Sequence, residues 1–191
     1  MKKYLAMFLT AVMALSFAAC GGKDSGEGDG GGAGIADALT LLTTIWDSYE
    51  EGEKFSAMGG DFSEENMVND APGNYGIQDT AMLDYTLGLP ETSASMIDGA
   101  ASLIHMMNAN TFTCGAFHVS SGDNVSSVAE ALRDNILQRQ WMCGFPDKLI
   151  VITVDDYVIS AFGNGELIDT FKAKAMAAYE SAELVYEEPI V

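Results

Sequence analysis

The chain has 191 residues, 48% of them hydrophobic, with 9 basic residues against 28 acidic ones and a formal net charge of −19. That balance excludes a nucleic-acid binder, whose footprint is a basic stripe, and a protein lying flat on anionic lipid. The length suits one domain with a real hydrophobic core.

The N-terminus reads as a lipoprotein signal over residues 1–19. Lys2 and Lys3 give a positive start, and Leu5 to Ala19 carries no charge. That run has the make-up of a secretory apolar region and is short of the ~20 residues a membrane span needs. Ala18-Ala19-Cys20 places small residues before a cysteine, the pattern that a lipoprotein signal peptidase cuts, although Phe17 stands where such signals usually carry Leu. Cys20 is therefore the expected lipidation site, and the expected location is the outer side of the cell membrane. Cleavage there removes Lys2 and Lys3, leaving seven basic residues against 28 acidic ones, a net charge of −21. Residues 20–34 are nearly all Gly, Ser, Asp and Glu, a composition for a disordered tether with a reach of roughly 20 Å.

Residues 35–191 read as one globular α+β domain. Ile35, Leu39, Leu42, Trp46 and Tyr49 recur at helical spacing. Residues 51–89 hold Gly59-Gly60, Pro72-Gly73 and many acids, and predict an irregular segment with one turn near Ser63–Val68 and a short helix over Ile77–Leu87. Ala100–Met107 and Phe112–Val119 flank Asn108-Ala109-Asn110 and predict a β-hairpin. A helix follows, with Asp123 or Asn124 as its cap and Val125, Val128, Ala129, Leu132 and Ile136 as its apolar stripe. Leu149–Val154 and Tyr157–Phe162 predict a second hairpin around Asp155-Asp156. After the Gly163-Asn164-Gly165 turn, Leu167, Ile168, Phe171, Ala175 and Tyr179 mark another helix, and Leu184-Val185-Tyr186 a tail that packs back. The order ββαββα, after an N-terminal helix and the irregular segment, predicts a four-stranded antiparallel sheet with both helices on one face.

Three segments carry a resemblance: His105–Phe112, Arg139–Leu149 and Tyr157–Asn164. They resemble a family of uncharacterised small lipoproteins from Gram-positive gut anaerobes with a C-terminal domain of unknown function. The resemblance implies a signal peptide, a lipidated cysteine, a linker and an extracytoplasmic α+β domain. It implies no catalytic or ligand residues.

Candidate sites are sparse. With the hairpin turning at Asn108–Asn110, His105 would face Cys114, and His118 would share that face. Such a trio could ligate zinc or copper, but two or three ligands without supporting groups make packing the favoured reading and imply no metal or other cofactor. Met58, Met67, Met82, Met96, Met106, Met107, Met142 and Met176 lack the tight spacing of a copper site and are expected to fill the core. Asp61, Glu64, Glu65 and Asp70 crowd one loop without an EF-hand pattern, which favours a solvated loop over a calcium site. No CxxC, Gly-x-Ser-x-Gly or Ser-x-x-Lys motif occurs. Cys114 and Cys143 are candidates for a disulfide, because the helix after the first hairpin should return Cys143 toward Cys114. Two classes of function remain. The preferred one is a lipid-anchored, non-enzymatic binding or accessory module that binds no nucleic acid. The alternative is an enzyme or metal-handling protein with a site between the irregular segment and the sheet. A deep pocket holding His105 or His118 with convergent carboxylates would favour the alternative, and a filled sheet face the first.

Overall fold

A computed structural model describes residues 34–142 and 144–190. The signal, Cys20, the tether up to residue 33 and Cys143 lie outside the described residues. Among the described residues no helix is long and apolar enough to cross a membrane.

Eight strands form one antiparallel sheet. They are β1 (Ala57–Gly59), β2 (Val68–Asn69), β3 (Gly73–Asn74), β4 (Ile97–His105), β5 (Phe112–Val119), β6 (Lys148–Val154), β7 (Tyr157–Gly163) and β8 (Ala182–Pro189). The order is β2-β1-β4-β5-β7-β6-β8, with β3 also paired to β4. The helices are α1 (Ala38–Asp47), the single turn α2 (Thr80–Met82), α3 (Val125–Leu137) and α4 (Gly165–Ala178).

The α+β class agrees with the sequence, but the four-stranded sheet with helices on one face is overturned. Four strands were missed. β1, β2 and β3 come from the irregular segment, and the tail forms β8 against β6. The helices cover both faces. α1 and α4 pack with Leu103, Phe112, Cys114, Ile150 and Ile152. α3 packs on the other side with Ile104, Phe117, Leu149, Val151 and Phe162. The cause is written in β6 and β7. Leu149 to Val154 and Tyr157 to Phe162 do not alternate with polar residues, so apolar side chains leave both faces. A sheet buried on both sides needs two covering layers.

Local details explain the element ends. The Asp37 side chain caps α1 by accepting from the Thr40 N–H at 2.7 Å, so the helix starts after Ile35 rather than at it. A 3₁₀ turn over Gly122–Asn124 leads into α3, and the Asn124 side chain makes no capping bond, contrary to expectation. Asn164 caps α4 by accepting from the Glu166 and Leu167 N–H groups. On the tail, Glu187 accepts from Lys148 and Lys172, which pins β8 to β6 and α4.

The irregular segment is held by two devices. Gly59 abuts β3 so closely that a Cβ there would lie 2.1 Å from the Gly73 nitrogen. The buried Ser102 hydroxyl accepts from the Gly60 N–H at 2.9 Å and donates to the Gly60 carbonyl at 3.0 Å.

The first hairpin forms, with a register two residues from the expected one. Cys114 lies opposite Leu103, not His105. The turn is wider because its own side chains bond the backbone. His105 Nδ1 accepts from the Met107 N–H at 3.2 Å, and Asn108 Oδ1 accepts from the Asn110 N–H at 2.9 Å. The second hairpin turns at Asp155-Asp156 as expected, with Asp155 at φ 50°.

Candidate functional site

A cleft of about 600 Å³ opens at one end of the α3 face. Its floor is Ile104 of β4, Thr113 of β5 and Phe162 of β7. Three connections wall it: Phe62 from the irregular segment, Met82–Thr86, and Arg139–Met142 after α3. Ala109 and Asn110 of the first hairpin turn close the rim. It lies between the irregular segment and the sheet.

Two features of the chain keep this end open. After α2 the backbone widens into a π-helical turn over Leu83–Leu87, a form frequent at functional sites. Gly88, at φ 86°, ends that turn, and its N–H donates to the Leu83 and Asp84 carbonyls. α3 stops at Leu137, and Arg139 to Met142 beyond it line the cleft without forming helix. Asn135 of α3 ties the two walls together. Its Nδ2 donates to Asp84 Oδ1 at 2.8 Å and to the Gly88 carbonyl at 3.0 Å. At the rim, Asn110 Nδ2 donates to the Met142 and Gly144 carbonyls at 3.2 and 3.0 Å.

Among the described residues the cleft contains one cation. Arg139 Nη2 donates to the Asp84 carbonyl and lies 3.7 Å from Asp84 Oδ1. The guanidinium also sits 5.9 Å from the Trp141 ring centre and 5.8 Å from that of Phe162. Burial lowers its pKa from the ordinary guanidinium value, and the neighbouring Asp84 works the other way. An arginine so placed stays charged. Trp141 packs on Phe162 with ring centres 5.2 Å apart. Its Nε1 is buried and has no acceptor among the described residues. Thr86 Oγ1 is also buried without a hydrogen bond, beside the Tyr75 hydroxyl, which donates to the Met82 carbonyl at 3.2 Å. The outer rim is apolar: Tyr85 and Met142 are each 80% exposed, and Phe62, in the left-handed region at φ 63°, is 47% exposed.

The residues singled out in the sequence lie elsewhere. His105, Cys114 and His118 do share one face, because a two-residue slip preserves the side of the sheet. They do not meet. His105 stacks on Phe55 at 5.5 Å, at the β1 end of β4. His118 pairs with Asp98 and packs on Tyr157, six residues along β5 from Phe112, a span of roughly 20 Å. Cys114 is fully buried under α1 and α4, and that burial pushes its thiol well above the ordinary value. Among the described residues no group of three or more His, Cys, Asp or Glu is placed to hold a metal.

In the acidic loop, Asp61 serves the fold. It accepts from the Ser63 N–H and hydroxyl, from Asn66 Nδ2 at 2.9 Å and from the Gly76 N–H at 3.0 Å. The methionines correct another expectation. Met67, Met82, Met106, Met107, Met142 and Met176 are exposed rather than buried, and Met82 and Met142 line the cleft.

Arg139, Trp141, Asp84 and Tyr85 were given no role from sequence. One signal was available: an arginine and a tryptophan just past the last stripe residue of a helix, where neither has a core to fill. Comparison with protein-family models, with curated proteins and with solved structures finds no match.

Proposed function

We propose that the domain is a small-molecule binding module, held at the outer face of the cell membrane through lipidated Cys20 and a flexible tether. The observation that carries the reading is the make-up of the cleft. Its volume is that of an ordinary ligand site, its walls are aromatic and thioether side chains, and a few polar groups converge in it. The exposed methionines suit this role, since thioether side chains adapt to differently shaped apolar partners.

Binding is favoured over catalysis by the titratable groups that line the cleft. Among the described residues these are Asp84, Tyr85 and Arg139. Asp84 already accepts from Asn135 and faces Arg139, and Tyr85 points to solvent. General acid–base chemistry needs a free group poised against the substrate, and nucleophilic chemistry needs a nucleophile beside its base. Neither histidine lines the cleft. The anchor reading rests on residues 1–34 of the sequence alone.

Native mass spectrometry of the full chain, extracted from membranes in mild detergent, tests the binding reading. A non-covalently bound small molecule is expected, and it should be lost in Ala109→Trp, which fills the cleft from its exposed rim. Only ligand-free protein, folded, would overturn the reading. The anchor is tested separately with Cys20→Ala. Two acyl chains give stable attachment, so the variant should leave the detergent phase; unchanged partitioning would overturn the lipid anchor.

A further inference from the structure

We infer that the cleft binds small carboxylic acids with an apolar body, the carboxylate seated between the Arg139 guanidinium and Trp141 Nε1. The inference rests on the binding reading above and adds the chemical class of the ligand.

Among the described residues of the cleft two donors have unmet capacity, beside the buried Thr86 hydroxyl, which can donate or accept. A guanidinium offers five N–H donors in a rigid fork. Among the described residues, the only side-chain hydrogen bond of Arg139 runs from Nη2 to the Asp84 carbonyl. That nitrogen faces the end of the π-helical turn, because a Cβ on Gly88 would lie 3.6 Å from it. Nε and Nη1 are left for another acceptor. Trp141 Nε1 can only donate, and it is buried without an acceptor among the described residues. A buried donor left unpaired costs roughly 1–3 kcal/mol, so a ligand oxygen that meets it gains affinity.

The ring contacts place these two side chains in one corner of the cleft. Arg139 lies against both Trp141 and Phe162, and Trp141 lies against Phe162. One acceptor group with two oxygens, entering that corner, is the simplest partner for both donors. A carboxylate is the group that matches a guanidinium edge in geometry and charge. Asp84 does not satisfy that need. Its Oδ1 is committed to Asn135 at 2.8 Å and stays 3.7 Å from Arg139 Nη2.

The rest of the cleft selects the body of the ligand. Ile104, Phe162, Met82 and Phe62 offer apolar surface, and the ~600 Å³ volume holds a single ring or a medium chain with room to spare. A cationic ligand would meet Arg139, and a fully polar one would leave the aromatic walls wet. Asp84 is the one carboxylate among the described residues of the lining, and it is paired with Arg139 and bonded to Asn135; exposed charges farther off than ~8 Å are largely screened at physiological ionic strength.

The test pairs acids with their own amides. Binding of 3-phenylpropionate, indole-3-acetate and octanoate, and of the three corresponding primary amides, is measured by ligand-observed NMR on the full chain in detergent. Each acid that binds should do so at least ~10-fold more tightly than its amide, which keeps shape and apolarity but loses the charge. Trp141→Phe keeps a ring and removes the donor; it should weaken the acids by about 5-fold and the amides less. Arg139→Gln should abolish the preference for acid over amide, and its circular dichroism should match the parent. Equal affinity of acid and amide, or a neutral or cationic molecule released from the native protein, would overturn the carboxylate assignment and leave the cleft a binding site. Failure of all six compounds to bind, with ligand-free native protein, would overturn both.

Discussion

On the α1/α4 side of the sheet, Phe112 meets Phe55 at 4.9 Å and Phe171 at 5.6 Å, and Trp46 meets Tyr49 at 4.9 Å. Two full helices lie over that face, and its core residues are nearly all without exposure. The α3 side has one helix and several short turns for the same width of sheet. Aromatic residues are present there too, but at the Phe162 end the packed pair Trp141 and Phe162 borders a cleft. The difference teaches where function can reside. A face covered by two helices has no room for a ligand. A face covered by one helix and a π-helical turn keeps a gap whose walls are connections, and binding groups sit preferentially on connections held by a rigid scaffold.

The largest effect expected from this contrast is in the core. Phe112→Ala removes a fully buried ring between two others and should cost about 3–5 kcal/mol, read from urea unfolding. Phe162→Ala removes a ring of the same size from the cleft floor. Trp141 and Arg139 can settle into that space, so the cost should be about 2 kcal/mol, because the penalty depends on how well a site collapses. Equal costs would break the comparison and mean that the α3 face is as tightly packed as the other.

Much of the scaffold was legible in the sequence, and the reasons differ by element. Both long hairpins, α1, α3 and α4 showed because their apolar periodicity or turn residues were strong. Of the predicted stripe, Val128, Ala129, Leu132 and Ile136 are buried and Val125 is half-buried. β1, β2 and β3 were not legible, since they have two or three residues each and pair only because Gly59 and Gly73 allow close approach. The two-layer cover was legible but not drawn: the unbroken run from Leu149 to Ile152 required it. The cleft was the least legible part. It is assembled from five separate stretches, and no spacing in the chain marks Asp84, Asn110, Arg139 and Trp141 as neighbours.

A middle-sized effect tests the connection that forms one cleft wall. Burial alone would raise the Asp61 carboxyl, but hydrogen bonds from Ser63, Asn66 and Gly76 outweigh it and hold it at about 2. The folded value lies below the ordinary 3.8. Its stabilisation is therefore fully present above about pH 4 and is lost as pH falls through about 2. Since the side chain is partly exposed, the contribution should be about 1–2 kcal/mol. Asp61→Ala should lower the urea midpoint by that amount at pH 7 and flatten the acid limb of stability between pH 4 and 2. It should also loosen the adjacent Phe62 wall and weaken ligand binding. A variant with unchanged acid unfolding would mean that this loop is not held by its carboxylate.

The smallest effects come from the two tryptophans, one on each face, and they sharpen the contrast most. Trp46 lies under the closed face, 2% exposed, and its Nε1 donates to the Asp70 carbonyl at 3.0 Å. Trp46→Phe loses that bond and some volume, and should cost about 1–2 kcal/mol. Trp141 presents the same buried donor to no acceptor among the described residues. Its replacement by Phe removes an unsatisfied group along with the lost volume, so the two changes offset each other. Ligand-free Trp141→Phe should lie within about 0.5 kcal/mol of the parent in urea unfolding. With ligand bound, the parent should gain stability that the variant does not match, because a ligand stabilises only in proportion to its affinity for the folded state. A large loss of stability in the ligand-free Trp141 variant would mean that the indole is a packing group like Trp46, and the two faces would then differ in shape without differing in purpose.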